Sequence, residues 1–328
     1  MPLLPCSAHL GRRVLLVAGL LACALALVAA APMTARANGI FVADCAFSHH
    51  AMNDPIVSHG KPGWSHPHDF YGNSSTDAFS TFGSLRRSPG NCTPAADRSA
   101  YWTPTLYRNG HAVKAVHVQA YYEDFFRYGR VLPFPSGLRM VAGGGMGMTA
   151  PRGTARWTCQ TDHSLDGNLH IPSCPSSFVT LRVTFPDCWD GRRVDSPNHR
   201  AHMAYSRPDP RMMGELRCPA SHPIVVPRLV LNVTYPMHNG KGVTLASGPV
   251  TTSHADFFNG WTPSVLRQRV NRDLNGGLAC DDFLGCTPIS APKTDPVLAR
   301  PRAKLDERFY PPQRTTMPGK GMGMGKMP

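Results

Sequence analysis

The sequence lacks the compact motifs that mark several well-defined classes of enzyme and metal protein. It has no Gly-x-Ser-x-Gly elbow and no His-Glu-x-x-His helix, which disfavours a serine hydrolase and a zincin. No two cysteines form a Cys-x-x-Cys pair, so we do not expect a structural zinc site built from thiolates. The glycine-rich segment 143–148 lacks the Lys-Ser/Thr of a P-loop, which disfavours a nucleotide site.

Acidic residues are scarce, since 21 Asp and Glu stand against 34 Lys and Arg, for a formal net charge of +13. Much of this excess is peripheral, because residues 1–37 and 289–328 together hold 11 of the basic residues and 3 of the acidic ones. The remaining body shows no basic stripe of the kind that binds nucleic acid, so we expect no nucleic-acid partner. The basic C-terminal segment either solubilises the chain or adheres to an anionic wall or membrane surface.

Long apolar runs are absent after the first 31 residues. The single run, residues 14–31, follows Arg12 and Arg13 and precedes a small-x-small site at residues 35–37. We predict that residues 1–37 are a secretory signal peptide and that the mature protein is an extracellular monomer without a membrane span. The alternative is an uncleaved N-terminal segment that anchors the protein to a membrane.

Cysteine usage agrees with export, because eight cysteines lie outside the signal and an even number favours disulfides in an oxidising compartment. They are Cys45, Cys92, Cys159, Cys174, Cys188, Cys218, Cys280 and Cys286. Spacing suggests the local pairs Cys159–Cys174 and Cys280–Cys286, with Cys45–Cys92 as a further option.

The 32 prolines and 30 glycines break up long helices and favour short strands joined by turns. Strand-like runs cover residues 112–122, 178–185 and 224–235, and only residues 263–274 have helical periodicity. We predict a mostly β, antiparallel, sandwich-like single domain over residues 38–288, with long loops, few short helices and disulfide support. Residues 289–328, rich in Pro, Gly and Met, are predicted to be a disordered basic tail.

Histidine is abundant, and most of the fifteen histidines lie in or beside four polar blocks that also hold Asp, Asn and aromatic residues. In one block proline keeps the backbone extended, so His66 and His68 face the same way. His254 and Asp256 share that spacing of two, whereas His199 and His202 can meet on one side of a turn.

These pairs predict either a transition-metal site or acid/base machinery acting on a glycan. The predicted metal ligands are His66, His68 and His202, and the predicted catalytic residues are Asp69, Asp256, His68 and His254. The predicted substrate-binding residues are Asn73, Arg200, Trp64, Tyr71, Trp261 and Asp195. The competing interpretation is structural, because His and Asn often make turn hydrogen bonds and aromatic rings most often pack in cores.

Several long motifs occur in an order that resembles domain-of-unknown-function family nineteen-ninety-six over about residues 40–275. They include Gly63-x-Ser-His-x-His-Asp-Phe-Tyr-Gly-Asn73, Phe185-Pro-Asp-Cys-Trp-Asp-Gly191 and His254-x-Asp-Phe-x-Asn-Gly-Trp261. The resemblance implies a secreted protein that works near polysaccharide, because some fungal members carry attached carbohydrate-binding modules. It implies no particular reaction.

The leading hypothesis is a secreted carbohydrate-active protein that hydrolyses, or eliminates, a cell-wall or extracellular polysaccharide in a His, Asp and aromatic cleft. One alternative is a non-catalytic glycan-binding wall protein. Another is a secreted protein that binds a divalent transition metal through the same histidines.

Overall fold

Short strands dominate the computed structural model, which describes residues 39–126, 130–145, 147–160, 169–212, 215–281 and 285–288. The predicted signal peptide (1–37) and tail (289–328) lie outside the described residues. The strands are β1 (Ile40–Cys45), β2 (Phe47–Ala51), β3 (His68–Gly72), β4 (Cys92–Thr93), β5 (Ala100–Pro104), β6 (Leu106–Arg108), β7 (His111–Ala112), β8 (His117–Glu123), β9 (Arg139–Gly143), β10 (Ala155–Cys159), β11 (Val179–Thr184), β12 (Cys188–Trp189), β13 (Met203–Ala204), β14 (Arg207–Asp209), β15 (Glu215–Arg217), β16 (Ile224–Val225), β17 (Arg228–Tyr235), β18 (Val243–Leu245), β19 (His254–Phe258), β20 (Leu278–Asp281) and β21 (Gly285–Pro288).

Helices are few and short among the described residues. They are α1 (Phe82–Arg87) and α2 (Pro263–Arg269), with 3-10 turns at Pro210–Met212 and Val250–Thr252 and a π-helical turn at Val270–Leu274. In this part of the chain, no helix has both the length and the apolar character that crossing a lipid bilayer requires.

Two large sheets form the body of the fold. The larger has the order β10-β11-β17-β8-β1-β20-β21, with β4 also pairing with β1. All of its pairs are antiparallel except β1 with β20. The second has the order β2-β3-β5-β19-β9 and is antiparallel throughout. Smaller sheets pair β13-β12-β16, β18-β6-β7 and β14-β15.

The five-stranded sheet has two apolar faces, because successive side chains of a strand point to opposite sides. Tyr71 of β3 and Phe257 of β19 belong to the main core, which also contains the inward residues of the larger sheet. Phe70 and Phe258, each one position away, belong to a smaller cluster on the other face. Leu85 of α1 covers this second face, on which the candidate site is built.

The predicted fold class is confirmed, and so are several of its elements. The predicted strand over residues 178–185 is β11, and the predicted helix over residues 263–274 is α2 with the π-helical turn that follows it. The run 224–235 forms two strands instead of one, β16 and β17. Pro227 lies between them and has no N–H to donate to a ladder.

All eight cysteines outside the predicted signal are paired. The four disulfides are Cys45–Cys92, Cys159–Cys174, Cys188–Cys218 and Cys280–Cys286. The three pairs that spacing suggested are thereby confirmed. Four disulfides indicate a protein that folds in an oxidising compartment.

Candidate metal centre

Three imidazoles meet on the second face of the five-stranded sheet. His66, His68 and His254 offer ring nitrogens that all lie within 4.8 Å of one another. A second group shares His68, because ligand atoms of Asp54, His68 and Asp256 also lie within 4.8 Å of one another. We refer to these five residues as the imidazole–carboxylate cluster.

Strand alternation brings the central members of the cluster to one face. His68 and Phe70 share a side of β3, and Asp256 and Phe258 share a side of β19, since both pairs are two residues apart. Strand β5 lies between β3 and β19 and pairs with both. Because Phe70 and Phe258 pack in the same small core, His68 and Asp256 project to that side as well.

Backbone carbonyls orient two of the imidazoles. The Nδ1–H of His68 donates to the carbonyl oxygen of Asn53 at 2.9 Å, and that of His254 donates to Thr252 at 3.1 Å. A carbonyl can only accept, so each contact assigns the ring proton to Nδ1. Each Nε2 then keeps its lone pair, and this second-shell arrangement is typical of metal-binding histidines.

Several polar atoms of the cluster have no hydrogen-bond partner among the described residues. The Nε2 atoms of His66 and His68 and both carboxylate oxygens of Asp256 are buried and make no hydrogen bond. His68 is 0% exposed and Asp256 is 1% exposed. Leaving buried polar groups unsatisfied costs about 1–3 kcal/mol for each group. Their convergence therefore indicates a site that a ligand completes.

Burial shifts the pKa values of the cluster toward the neutral forms. It holds the pKa of His68 well below its usual value, helped by the nearby His66 and His254, and lowers the pKa of His254 to about 4. Burial raises the pKa of Asp256 well above its usual value, and the neighbouring Asp54 carboxylate adds to this.

His254 Nε2 and Asp256 Oδ2 are 4.0 Å apart, at the outer limit of an ion pair. The burial that lowers the pKa of His254 and raises the pKa of Asp256 disfavours the charged forms that an ion pair needs.

A divalent cation fits this donor set. Imidazole nitrogens and carboxylate oxygens are ligands of zinc, copper, iron and nickel, with bonds of about 2.0–2.2 Å to zinc. Neighbouring ligands of a tetrahedral ion with such bonds are about 3.4 Å apart. The ligand atoms, which lie within 4.8 Å of one another, would therefore move together by up to about 1.4 Å on binding. The cation would also neutralise carboxylates that are costly to bury as charges.

Gly143 of β9 allows the backbone to approach His254 closely. The two residues are register partners, and Gly143 has a left-handed φ of 88°. A Cβ at this position would lie 2.5 Å from the Ser253 carbonyl oxygen and 2.9 Å from the Cα of His254. Any other residue here would push β9 away from the site.

Arg200 lies beside the cluster and is exposed to solvent. Its guanidinium donates to the carbonyl oxygens of Gly144 at 2.9 Å and Val141 at 3.2 Å. Its charge favours the ionised form of Asp256 and the neutral form of His254, which indicates that it is close to both. Arg200 therefore places a positive charge at the rim of the site.

His202 does not join the other predicted metal ligands. Its Nδ1 bonds the hydroxyl of Ser196 at 3.0 Å and its Nε2 donates to the carbonyl of Arg139 at 2.6 Å. Both ring nitrogens of His202 thus have hydrogen-bond partners, so we remove His202 from the predicted metal ligands. The third histidine beside His66 and His68 is His254. His199, the other histidine of this pair, bonds Asp195 at 3.0 Å and so also has a partner within its own segment.

Asp69 also lies apart from the cluster. Its carboxylate accepts hydrogen bonds from His50 and Thr105, both at 2.9 Å. As the neighbour of His68 on β3, it points to the opposite face of the sheet. The prediction of Asp69 as an acid or base beside His68 therefore fails on geometry.

Four of the predicted substrate-binding residues are buried or make hydrogen bonds and ion pairs within the protein. Asn73, Tyr71 and Trp261 are fully buried, so none of them offers a surface to a substrate. Asn73 holds backbone carbonyls of Leu85 and Arg98, and Trp261 donates its indole N–H to Tyr122. Asp195 is half-buried and pairs with His199 and Arg139.

Trp64 and Arg200 are exposed, as a substrate-binding role requires. Sequence reasoning missed Asp54 as a cluster residue. Its carboxylate Oδ1 accepts the backbone N–H groups of Ile56 and Val57, at 2.8 and 2.9 Å, as an ordinary turn aspartate does. Only the fold reveals that the same side chain also faces His68 and Asp256.

The chain belongs to the family described as "Domain of unknown function (DUF1996)", whose model matches residues 54–261. This confirms the family resemblance inferred from the motifs. The match begins at Asp54 and contains all five residues of the cluster. No curated protein and no solved structure matches the chain.

Proposed function

We propose that the protein is a secreted, metal-dependent carbohydrate-active enzyme that hydrolyses, or eliminates, a cell-wall or extracellular polysaccharide. The observation that carries the proposal is a pair of ligand groups that share His68, one with His66 and His254 and the other with Asp54 and Asp256. Buried atoms of His66, His68 and Asp256 have no hydrogen-bond partner among the described residues, and a bound divalent ion would supply one to the imidazole nitrogens.

The residues divide into ligands and a proton acceptor. His66, His68 and His254 would hold the ion through ring nitrogens, and Asp256, whose Oδ2 lies 4.0 Å from His254 Nε2, would be the fourth ligand. A bound divalent ion supplies Lewis acidity and lowers the pKa of a coordinated water. Asp54 faces His68 and Asp256 while two backbone N–H groups hold its Oδ1, so we assign it the role of proton acceptor during reaction.

Access to the site is from the side of His66. This residue is half-buried, whereas His68 and Asp256 are fully enclosed. Trp64, two positions earlier, is 73% exposed and offers an aromatic face next to the entrance. An exposed ring of this kind favours sugar binding, because indole stacks on the apolar C–H faces of a glycan.

The first test is elemental analysis of protein purified without an affinity tag. We expect about one equivalent of a transition metal per chain, its loss on dialysis against a chelator, and its return on titration. His68→Ala should abolish this binding. His111→Ala is the matched control, because His111 is an exposed histidine on β7 outside the cluster, and it should bind like the native protein.

The second test is incubation of the loaded protein with a panel of wall and extracellular glycans. New reducing ends would report hydrolysis, and ultraviolet-absorbing unsaturated ends would report elimination. The exposed Trp64 also favours a second candidate, a non-catalytic glycan-binding protein of the wall. Binding of a glycan without either product would overturn the enzymatic proposal in favour of that candidate.

A further inference from the structure

We propose that Trp64 and Lys61 form a glycan subsite beside the metal centre, and that its ligand is a carboxylated polysaccharide. The inference rests on the proposed function for its assumption that the ligand is a glycan. The subsite itself is argued from the exposure of one ring, the rigidity of its turn, its closeness to His66 and the charges around it.

Trp64 differs from every other tryptophan of the chain. The sequence contains five, and Trp102, Trp157, Trp189 and Trp261 are at most 1% exposed, whereas Trp64 is 73% exposed. A large aromatic ring contributes to stability mainly by being buried. An indole left in water contributes little of this, so its presence at the entrance of a site indicates binding.

The turn that carries Trp64 is held in place by its own backbone. The N–H of Gly63 donates to Met52 at 2.8 Å, and the N–H of Trp64 donates to Lys61 at 3.3 Å. Gly63 has φ of 79°, in the left-handed region that favours glycine. The ring is therefore presented by a defined turn, which lowers the entropy lost when a ligand binds.

The Cα atom of Trp64 is close to that of His66. Trp64 precedes His66 by two residues, and two residues of extended chain span about 7 Å at most. A sugar stacked on Trp64 would thus extend its neighbouring units across the exposed edge of His66. The same loop carries Asn53, whose carbonyl orients His68.

Uncompensated positive charge surrounds this entrance. Lys61 Nζ lies 4.9 Å from the centroid of the Trp64 ring. Within the described residues, neither Lys61 nor Arg200 has a carboxylate partner, since Arg200 donates to backbone carbonyls. Lys61 beside the ring and Arg200 beside the cluster would both attract an anionic ligand that reaches from one to the other.

A second exposed ring makes the contrast clear. Phe125 is 40% exposed and carries Arg228 over its face at 4.6 Å, which repeats the Trp64–Lys61 arrangement. There, however, Asp187 pairs with Arg228 at 2.6 Å and neutralises it. Phe125 and Arg228 therefore have the geometry of the proposed subsite without its net charge, which makes them its matched control.

The experiment measures glycan binding by affinity electrophoresis or calorimetry, with metal-free protein so that the metal does not contribute. The probes are polygalacturonate, alginate and hyaluronan, each beside its carboxyl-reduced counterpart. We expect at least one carboxylated polymer to bind and its reduced counterpart to bind about tenfold more weakly. Failure of all three carboxylated polymers, or equal binding of a carboxylated polymer and its reduced counterpart, would overturn the choice of ligand.

The variants separate the two parts of the subsite. Trp64→Ala should lower affinity about tenfold for both the carboxylated and the reduced polymer, because stacking does not depend on charge. Lys61→Gln should remove the preference for the carboxylated polymer only. Phe125→Ala should change neither, and native binding by Trp64→Ala would contradict the proposal.

This test is distinguishable from the test of the proposed function. Trp64→Ala should keep its full equivalent of metal, since it contributes no ligand atom. If the native protein takes up no metal on titration but binds a glycan through Trp64, the metal-dependent enzyme is refuted and the subsite stands. Metal-dependent turnover that Trp64→Ala leaves unchanged would refute the subsite alone.

Discussion

His68 and Asp69 are adjacent on strand β3, and both are buried, but their polar atoms have opposite surroundings. On the face of the main core, the Asp69 carboxylate accepts two hydrogen bonds at 2.9 Å, from His50 and Thr105. On the other face, His68 Nε2 and both oxygens of Asp256 have no hydrogen-bond partner in the described part of the chain. The same sheet thus has a polar group with hydrogen-bond partners on one face and several polar atoms without such partners on the other.

The comparison separates a structural role from a binding role by a physical criterion. A buried polar group that stabilises the fold has its partners inside the protein, and Asp69 meets this condition. A buried polar group that binds a ligand has no hydrogen-bond partner inside the protein until the ligand arrives. This lowers the stability of the free protein, and ligand binding offsets the loss. Burial alone would have classed His68, Asp69 and Asp256 together.

The largest expected effect is the gain in stability when metal binds to the unsatisfied face. Free metal at a thousandfold excess over its Kd should add about 4 kcal/mol to the free energy of unfolding. For a domain of this size we expect the melting temperature to rise by roughly 8–16 °C. Scanning calorimetry with a chelator and then with excess metal measures this rise.

Asp69→Ala is the control for that measurement, because it lies on the satisfied face and should show the same rise from a lower starting temperature. His68→Ala should show none. A rise that survives in His68→Ala, or disappears in Asp69→Ala, would contradict the distinction between the faces.

The second expected effect is a loss of stability in acid that comes from His254. Its pKa is about 4 in the folded protein, below its ordinary value of 6.5, so the unfolded chain binds more protons between these values. The stability is present above pH 6.5 and is lost as the pH falls toward 4, by about 3 kcal/mol. The raised pKa of Asp256 acts in the opposite direction, since its contribution is lost as the pH rises through its folded value.

Urea denaturation with a chelator, at several pH values from 7 to 4, measures this dependence. We expect His254→Ala to lose about 3 kcal/mol less than the native protein over that range, because Asp256 contributes to both proteins. Parallel curves for the two proteins would show that the imidazole of His254 is not held neutral by its surroundings.

The smallest expected effect compares the two aspartates directly in metal-free protein. Asp69→Ala removes the acceptor of two hydrogen bonds and should destabilise the protein by about 2 kcal/mol more than Asp256→Ala. Asp256→Ala removes an unpartnered carboxyl group that is costly to bury. The volume lost is the same in both variants, so the difference between their free energies of unfolding isolates the hydrogen bonds. Equal losses would mean that Asp256 has structural partners.

The sequence predicted the fold better than the site. The side-chain pattern of a strand repeats every two residues, so a strand such as the one predicted at residues 178–185 could be recognised from a short stretch of sequence. Cysteine spacing suggested three of the four disulfides. Among the predicted site residues, the structure brings together His66, His68, His254 and Asp256. Their chemical roles remain predictions.

The failures have specific causes. The alternation of side chains along a strand places His66 and His68 on one side and turns Asp69 to the other. The prediction that Asp69 lies beside these histidines therefore contradicted the principle that paired them. The spacing of His199 and His202 allowed convergence, but both rings found closer partners in their own segment and in β9. Asp54 had no distinguishing signal, because its turn hydrogen bonds match those of any Asp before a turn.

The sequence by itself determined the even number of cysteines outside the predicted signal. It also determined the short strands and the position of His66 and His68 on one side of the chain, because these depend on residues only a few positions apart. Only the tertiary structure placed β5 between β3 and β19. This strand order brings His68 and His254 together. Pairing between strands so distant in the chain depends on which faces are buried against which core, and no local pattern of residues encodes that choice.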